Sequence, residues 1–380
     1  MIDAGNANFR DTMRRFESLK DSGLTFIGMG VSGCEEGARH GPSIRVGGAE
    51  ESYNRVQSVL KSIAAKFKDE PCVAWLGENG AGHFMKTIHN GFEYADMPMI
   101  TEIYGVLRDG LGMSAAEIGE VLGKWNKGCL NSYRIEITEK VLAASDPATG
   151  NPVVDVILDK AGQKGTGKWS VIEAQNMGVA VTSIEAAVAA RCISSLNEER
   201  IAAEDILGLP PVPALSVADE AAFIDDLENA LLAAKIDAYA QGFATLSAAS
   251  REFNRSLPMP TIAKIWREGC IIRSQFLDEI ASAFKAAPDA ANLIVTPAFL
   301  LSLMKQMGHC GALFRLLYWL DYQCQRSRLH LDILIAIVVR VAQPMSFRRS
   351  VISLAPMVST VLTARTFTMA SGAPIIEFEG

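Results

Sequence analysis

The chain is expected to fold as an α/β segment over residues 1–80, followed by a large all-α domain over 81–305. Three observations carry that expectation. Short apolar runs suited to strands, at 24–29 and 72–76, alternate with amphipathic stretches near the start. Strand signals nearly vanish after Gly82 and helical periodicity takes over. With 380 residues, 49% hydrophobic and 21% charged, the chain has a globular balance and is too long for one small core.

Taken in order, FRDTMRRFESLKDSG reads as an amphipathic helix with Phe9, Met13, Phe16 and Leu19 on one side and Gly23 as its stop. Helical periodicity returns over 50–67, so the segment is expected to hold only part of one βαβ unit. A long helix is expected from His83 to Gly110, bent or broken at Pro98. AAEIGEVLGKWNKG, VTSIEAAVAARCISSL, the run from Phe223 to Phe253 and IAKIWREGCIIRSQFLDEIASAF each carry the 3.6-residue period. AGQKGTGKW at 161–169 reads as a glycine-rich loop. Residues 306–380 lose clear periodicity and form a divergent tail.

The formal net charge of -7 argues against nucleic acid as a partner. Seven cysteines without metal-ligand spacing suit reduced thiols in a cytoplasmic protein and give no metal site. The N-terminus is polar, and the apolar tract at 333–339 is far shorter than the roughly 20 residues of a membrane helix, so no membrane partner is expected.

Chemistry concentrates in GHFMKTIHNGFEYADM. Lys86, His89, Asn90 and Glu93 recur at i, i+3, i+4 and i+7, so a helix projects all four from one face. An amine, an imidazole, a carboxamide and a carboxyl group on one stripe suit acid–base work and are costly as core. In GMGVSGCEEGARHGPSIRVGG the spacing of Gly28, Gly30 and Gly33 matches G-x-G-x-x-G, but a substrate-facing loop is favoured over a dinucleotide fingerprint. AGQKGTGKW lacks the P-loop ending; its lysines and threonine suit an anion, but taken alone a solvated basic turn is favoured. Arg191, inside an apolar helix, is expected to pair with Glu185 or a ligand, the structural pair being favoured.

These runs, with AVAARCISSLNEER, AYAQGF and IWREGCIIRS, resemble decarboxylating 6-phosphogluconate dehydrogenase over residues 1–300. The resemblance makes the first segment the remnant of a Rossmann-like NADP-binding domain. It implies oxidation of 6-phosphogluconate at C3 with NADP, then decarboxylation to ribulose 5-phosphate. By position, Lys86 resembles the general base and Glu93 the acid that protonates the enediol carbon. Ser32, Gly33 and Cys34 resemble the carboxylate end of the substrate site, and His89 and Asn90 the hydroxyl binders. Tyr94, Lys164, Thr166 and Arg191 resemble the phosphate clamp, and Asn6 a residue where nicotinamide and substrate meet. The resemblance also implies a homodimer.

Departures accompany it. The chain opens inside DAGNANF, late in the family's cofactor domain, so a missing N-terminal stretch is expected. Cys34 stands where the family has glycine, and Arg45 and Val46 where it has Met and Pro. Read one base out of step, residues 344–358 can encode a family-like N-V-I-Q-A-Q-R-D-F-F-G-A-H run, so the tail is expected to be translated out of frame. The second reading is a non-catalytic helical remnant that dimerises or binds sugar phosphate weakly.

Overall fold

A computed structural model describes residues 1–208, 215–253 and 256–306, together with a short ladder of Phe367–Thr368 and Pro374–Ile375. The expected out-of-frame tail, and the apolar tract within it, otherwise lie outside the described residues.

The first segment runs β1 (Ile2–Asp3), α1 (Phe9–Leu19), β2 (Ile27–Ser32), α2 (Cys34–His40), β3 (Ser43–Gly48) and α3 (Glu50–Ile63). A small hairpin, β4 (Lys66–Phe67) with β5 (Glu70–Pro71), precedes β6 (Val73–Trp75). Strands β1-β2-β3-β6 form one sheet. β1 and β2 are parallel, as are β3 and β6, whereas β2 and β3 are antiparallel, with Ile27 opposite Gly48 and Ser32 opposite Ser43. The segment therefore holds two crossover units, β1–α1–β2 and β3–α3–β6, rather than part of one. Two residues of β1 are too few to show a period. In β3, Ser43, Arg45 and two glycines hide a strand whose six residues are all buried.

The second segment opens with α4 (Ala81–Gly105), 25 continuous residues with Pro98 inside. Pro98 does not break it, because the same helix buries Phe92, Ala95, Met99, Ile100 and Ile103. Each large apolar side chain contributes roughly 1.5–3 kcal/mol, together well above the roughly 3 kcal/mol an interior proline costs. A π-helical turn, Val106–Gly110, follows. Then come α5 (Ala115–Trp125), α6 (Tyr133–Ala143), α7 (Val153–Val156), α8 (Thr166–Asn176), α9 (Thr182–Ser195) and α10 (Asn197–Leu207). The 33-residue α11 (Glu220–Glu252) crosses the domain beside α4. The run from Ile262 to Phe284 is two helices, α12 (Met259–Ile265) and α13 (Phe276–Ala286), rather than one. Gly269 sits at φ +69° in the break, where a Cβ would lie 2.7 Å from Pro42 C and Ser43 N.

The core is aromatic where α4 and α11 meet. Phe92 stacks on Tyr239 at 4.7 Å between ring centres and meets Trp266 edge-on at 5.4 Å. No described helix is long and apolar enough to cross a membrane.

The glycine-dense run explains how α4 reaches the sheet. Gly28 and Gly30 lie inside β2 and Gly47 inside β3, not in a loop. A Cβ on Gly30 would stand 2.5 Å from Gly82 O and 2.6 Å from Lys86 Cβ. Gly28 and Gly30 thus serve close helix–sheet packing, whereas Gly33 turns the chain into α2. That packing sets the first turns of α4 directly over the ends of β2 and β3.

Candidate active site

Lys86 projects from the second turn of α4 and donates to Ser32 Oγ at 3.2 Å. Ser32 ends β2, and Gly33 and Cys34 then turn the chain into α2 at φ +121° and +50°. The positive φ of Cys34 is a conformation that an L side chain adopts at a cost of roughly 1–2 kcal/mol. The Cys34 thiol is exposed at the mouth of this turn.

Burial, with the nearby Arg45 guanidinium second, pushes the Lys86 amine down to about 8. An ordinary lysine at neutral pH is a poor base; this one is half free at pH 8. His89 is fully buried against the edge of Trp266 at 5.6 Å between ring centres. Burial first, and then Arg45 and Lys86, hold its imidazole well below its usual range, so it is neutral. Its Nδ1 lies 3.4 Å from Asn90 Oδ1, and its Nε2 has no partner among the described residues.

Asn90 Nδ2 donates to Thr166 Oγ1 at 2.6 Å, tying α4 to the start of α8. Gly165, at φ +96°, caps α8, so AGQKGTGKW is a loop only as far as that residue. The Arg191 guanidinium lies 5.3 Å over the Tyr94 ring, with Nη1 donating to Gly162 O at 3.1 Å. It does not pair with Glu185, whose Oε1 accepts from Gln175 instead. Thr166, Tyr94 and Arg191 therefore converge at the positive end of a helix, a setting that favours an anion. Lys164 is exposed on the same loop and makes no described contact.

Glu93 pairs with Arg134 of α6 at 3.3 Å. Arg134 also lies 3.8 Å from Asp96, which pairs with Lys235 of α11, so a chain of alternating charge runs inward from the site. Asn6 is exposed beyond the carboxyl end of β1 and makes no described hydrogen bond to the stripe. For a dinucleotide this is the edge where open α/β sheets take ligands, so the described residues fit its nicotinamide end. The glycines that could cradle its phosphates are occupied, Gly28 against α1 and α4, Gly30 against α4, and Gly33 against Gly37 and Gly269. No cluster of three or more metal-ligating side chains occurs among the described residues.

Local pattern does not single out Arg134, Lys235 or Trp266, and it marks Arg45 only as a departure from the family. An arginine alternating with Ile44 and Val46 in one strand was the available signal for a buried cation.

A sheet of crossover units docked on a helical domain, with this stripe at their junction, defines the dinucleotide-dependent dehydrogenase class of fold. Comparison with known proteins makes it specific. The 6-phosphogluconate dehydrogenase C-terminal domain matches residues 82–314, and the NAD binding domain of 6-phosphogluconate dehydrogenase matches residues 1–77. The chain belongs to the 6-phosphogluconate dehydrogenase family. It is 48% identical to decarboxylating 6-phosphogluconate dehydrogenase 1 of Saccharomyces cerevisiae over 299 residues, 79% of this chain and 61% of that one. It is also 48% identical to the NADP(+)-dependent decarboxylating enzyme of Bacillus subtilis, over 79% of this chain and 64% of the relative. The chain thus spans about three-fifths of the length of the curated relatives it matches. The solved Plasmodium falciparum 6-phosphogluconate dehydrogenase, studied free, with its cofactor NADP+ and with its substrate 6-phosphogluconate, superposes with a TM-score of 0.80. The two are 33% identical, and the match covers 100% of this chain and 79% of that one.

Proposed function

We propose that the face of α4 from Lys86 to Tyr94 binds 6-phosphogluconate for NADP-linked oxidative decarboxylation to ribulose 5-phosphate and carbon dioxide. The eight helical steps from Lys86 to Tyr94 rise about 12 Å, comparable with the extended phosphorylated sugar acid. The carboxylate lies at Ser32, Gly33 and Cys34, the hydroxyls at His89 and Asn90, and the phosphate at Tyr94, Lys164, Thr166 and Arg191. Lys86 takes the C3 hydroxyl proton, and Glu93 returns a proton to the carbon left by carbon dioxide. Asn6 would hold the nicotinamide end of NADP, which would supply the hydride acceptor. The protein is proposed to work in the cytoplasm as a homodimer.

The observation that supports this reading best is a single one. Lys86, with its amine pushed down to about 8, shares its helix face with the Asn90–Thr166 hydrogen bond beside Arg191. A base and an anion site are thereby set at opposite ends of one ligand-length stripe. Titrating the full chain with 6-phosphogluconate and with NADP, by thermal shift and by turnover, tests it. Saturable stabilisation by the sugar phosphate with turnover supports the whole proposal. Stabilisation without turnover leaves binding alone, the helical-remnant reading. No response to 6-phosphogluconate removes the proposal.

A further inference from the structure

Arg45 is fully buried in the middle of β3. Its Nη1 donates to Ser32 Oγ at 2.5 Å, the same oxygen that accepts from Lys86. Its Nε and Nη2 have no hydrogen-bond partner among the described residues. The ring of Trp266 lies 5.9 Å away and supplies only a quadrupole. Cys270 is a polar neighbour, but its thiol donates to Trp266 O, and burial pushes it up to about 11, so it stays uncharged. Glu93 is engaged by Arg134. Neither Lys86 nor Arg45 has a carboxylate in ion-pair contact among the described residues, and a fully buried and a half-buried cation converge on one hydroxyl.

That convergence has two consequences. With both lone pairs of Oγ taken by nitrogen donors, the Ser32 proton must point to a third partner, which makes the hydroxyl a donor toward whatever enters the site. The nitrogens also sit at most about 6 Å apart, since both reach the same oxygen; at that range like charge disfavours the protonated amine. We propose that Arg45 is a positioning residue, acting through Ser32 and Lys86 to turn the serine hydroxyl toward an acceptor oxygen of the ligand and to keep the amine ready to take a proton. Its consequence for turnover rests on Lys86 being the base; the coupling itself exists without any ligand.

Besides Arg45 on β3, the groups facing Lys86 are Cys34 from α2, Cys270 from the segment between α12 and α13, and Glu93 on its own helix. Of these, only Arg45 adds positive charge, so replacing it isolates the coupling. The full chain labelled at lysine Cε with carbon-13 and titrated by NMR reports the Lys86 midpoint, its resonance assigned by loss in Lys86→Met. Arg45→Gln and Arg45→Met remove the charge at similar length and are expected to raise the midpoint by roughly one unit or more. Arg45→Lys keeps the charge and is expected to hold it near the native value. A simple packing role predicts no such rescue. An unchanged midpoint in a folded neutral variant overturns the proposal. If neither neutral variant folds, Arg45→Lys decides alone, a rise of a full unit counting against it and a retained low midpoint for it. Failure here leaves the substrate reading standing, whereas failure to bind 6-phosphogluconate removes that reading and leaves the coupling intact.

Discussion

Replacing Lys86 with Met is expected to stabilise the protein while abolishing its proposed chemistry. The amine sits near 8 instead of the lysine norm of 10.5, because burial and Arg45 disfavour its charge. Between those values the unfolded chain binds more protons than the folded one, so stability rises with pH across that window. At pH 7 the charged amine costs the fold about 3 kcal/mol, and by pH 9.5 about half of that is relieved. Methionine keeps a stem of similar length and gives up one hydrogen bond to Ser32, worth about 1 kcal/mol. The variant should therefore gain about 2 kcal/mol at pH 7, and most of the gain should be gone by pH 9.5. Denaturant midpoints followed by tryptophan fluorescence at both pH values measure it. A variant less stable than the parent at pH 7, or a gap that does not narrow with pH, refutes the electrostatic account of Lys86.

Lys235→Met leaves Asp96 buried with only the longer contact to Arg134, and should cost about 3–5 kcal/mol, read as a drop in denaturant midpoint. Cys34→Gly relieves the left-handed backbone at the end of β2 and should raise stability by about 1 kcal/mol, checked in the same assay. Arg191→Ala should weaken 6-phosphogluconate binding about tenfold or more, from one lost charge-assisted contact, while leaving gluconate binding unchanged in calorimetry; equal weakening of both would move the phosphate elsewhere.

The helical half was legible because its period is long and repeated: α5, α9 and α11 fall where apolar residues recur at three and four. The sheet was less so. β1 has two residues, and β3 reads as loop because Gly47 answers to the backbone of α4 and Gly48 to the chain entering β2 rather than to a turn, a tertiary reason no local pattern carries. The split between α12 and α13 hides for a similar cause, since Gly269 breaks an otherwise helical spacing in order to pass β3. At the site, the stripe of α4 follows from spacing alone. Its setting does not: which hydroxyl Lys86 reaches, and that Arg45 meets it there, depends on a sheet register that the sequence leaves unspecified.

Carbon-13 spectra of Cε-labelled lysines, recorded while the full chain is titrated with 6-phosphogluconate, address the central claim most directly. The account predicts saturable shifts at Lys86 and Lys164, with the Lys86 midpoint moving upward as the bound anion favours its charged form. Saturation that moves surface lysines but leaves Lys86 unperturbed would contradict it.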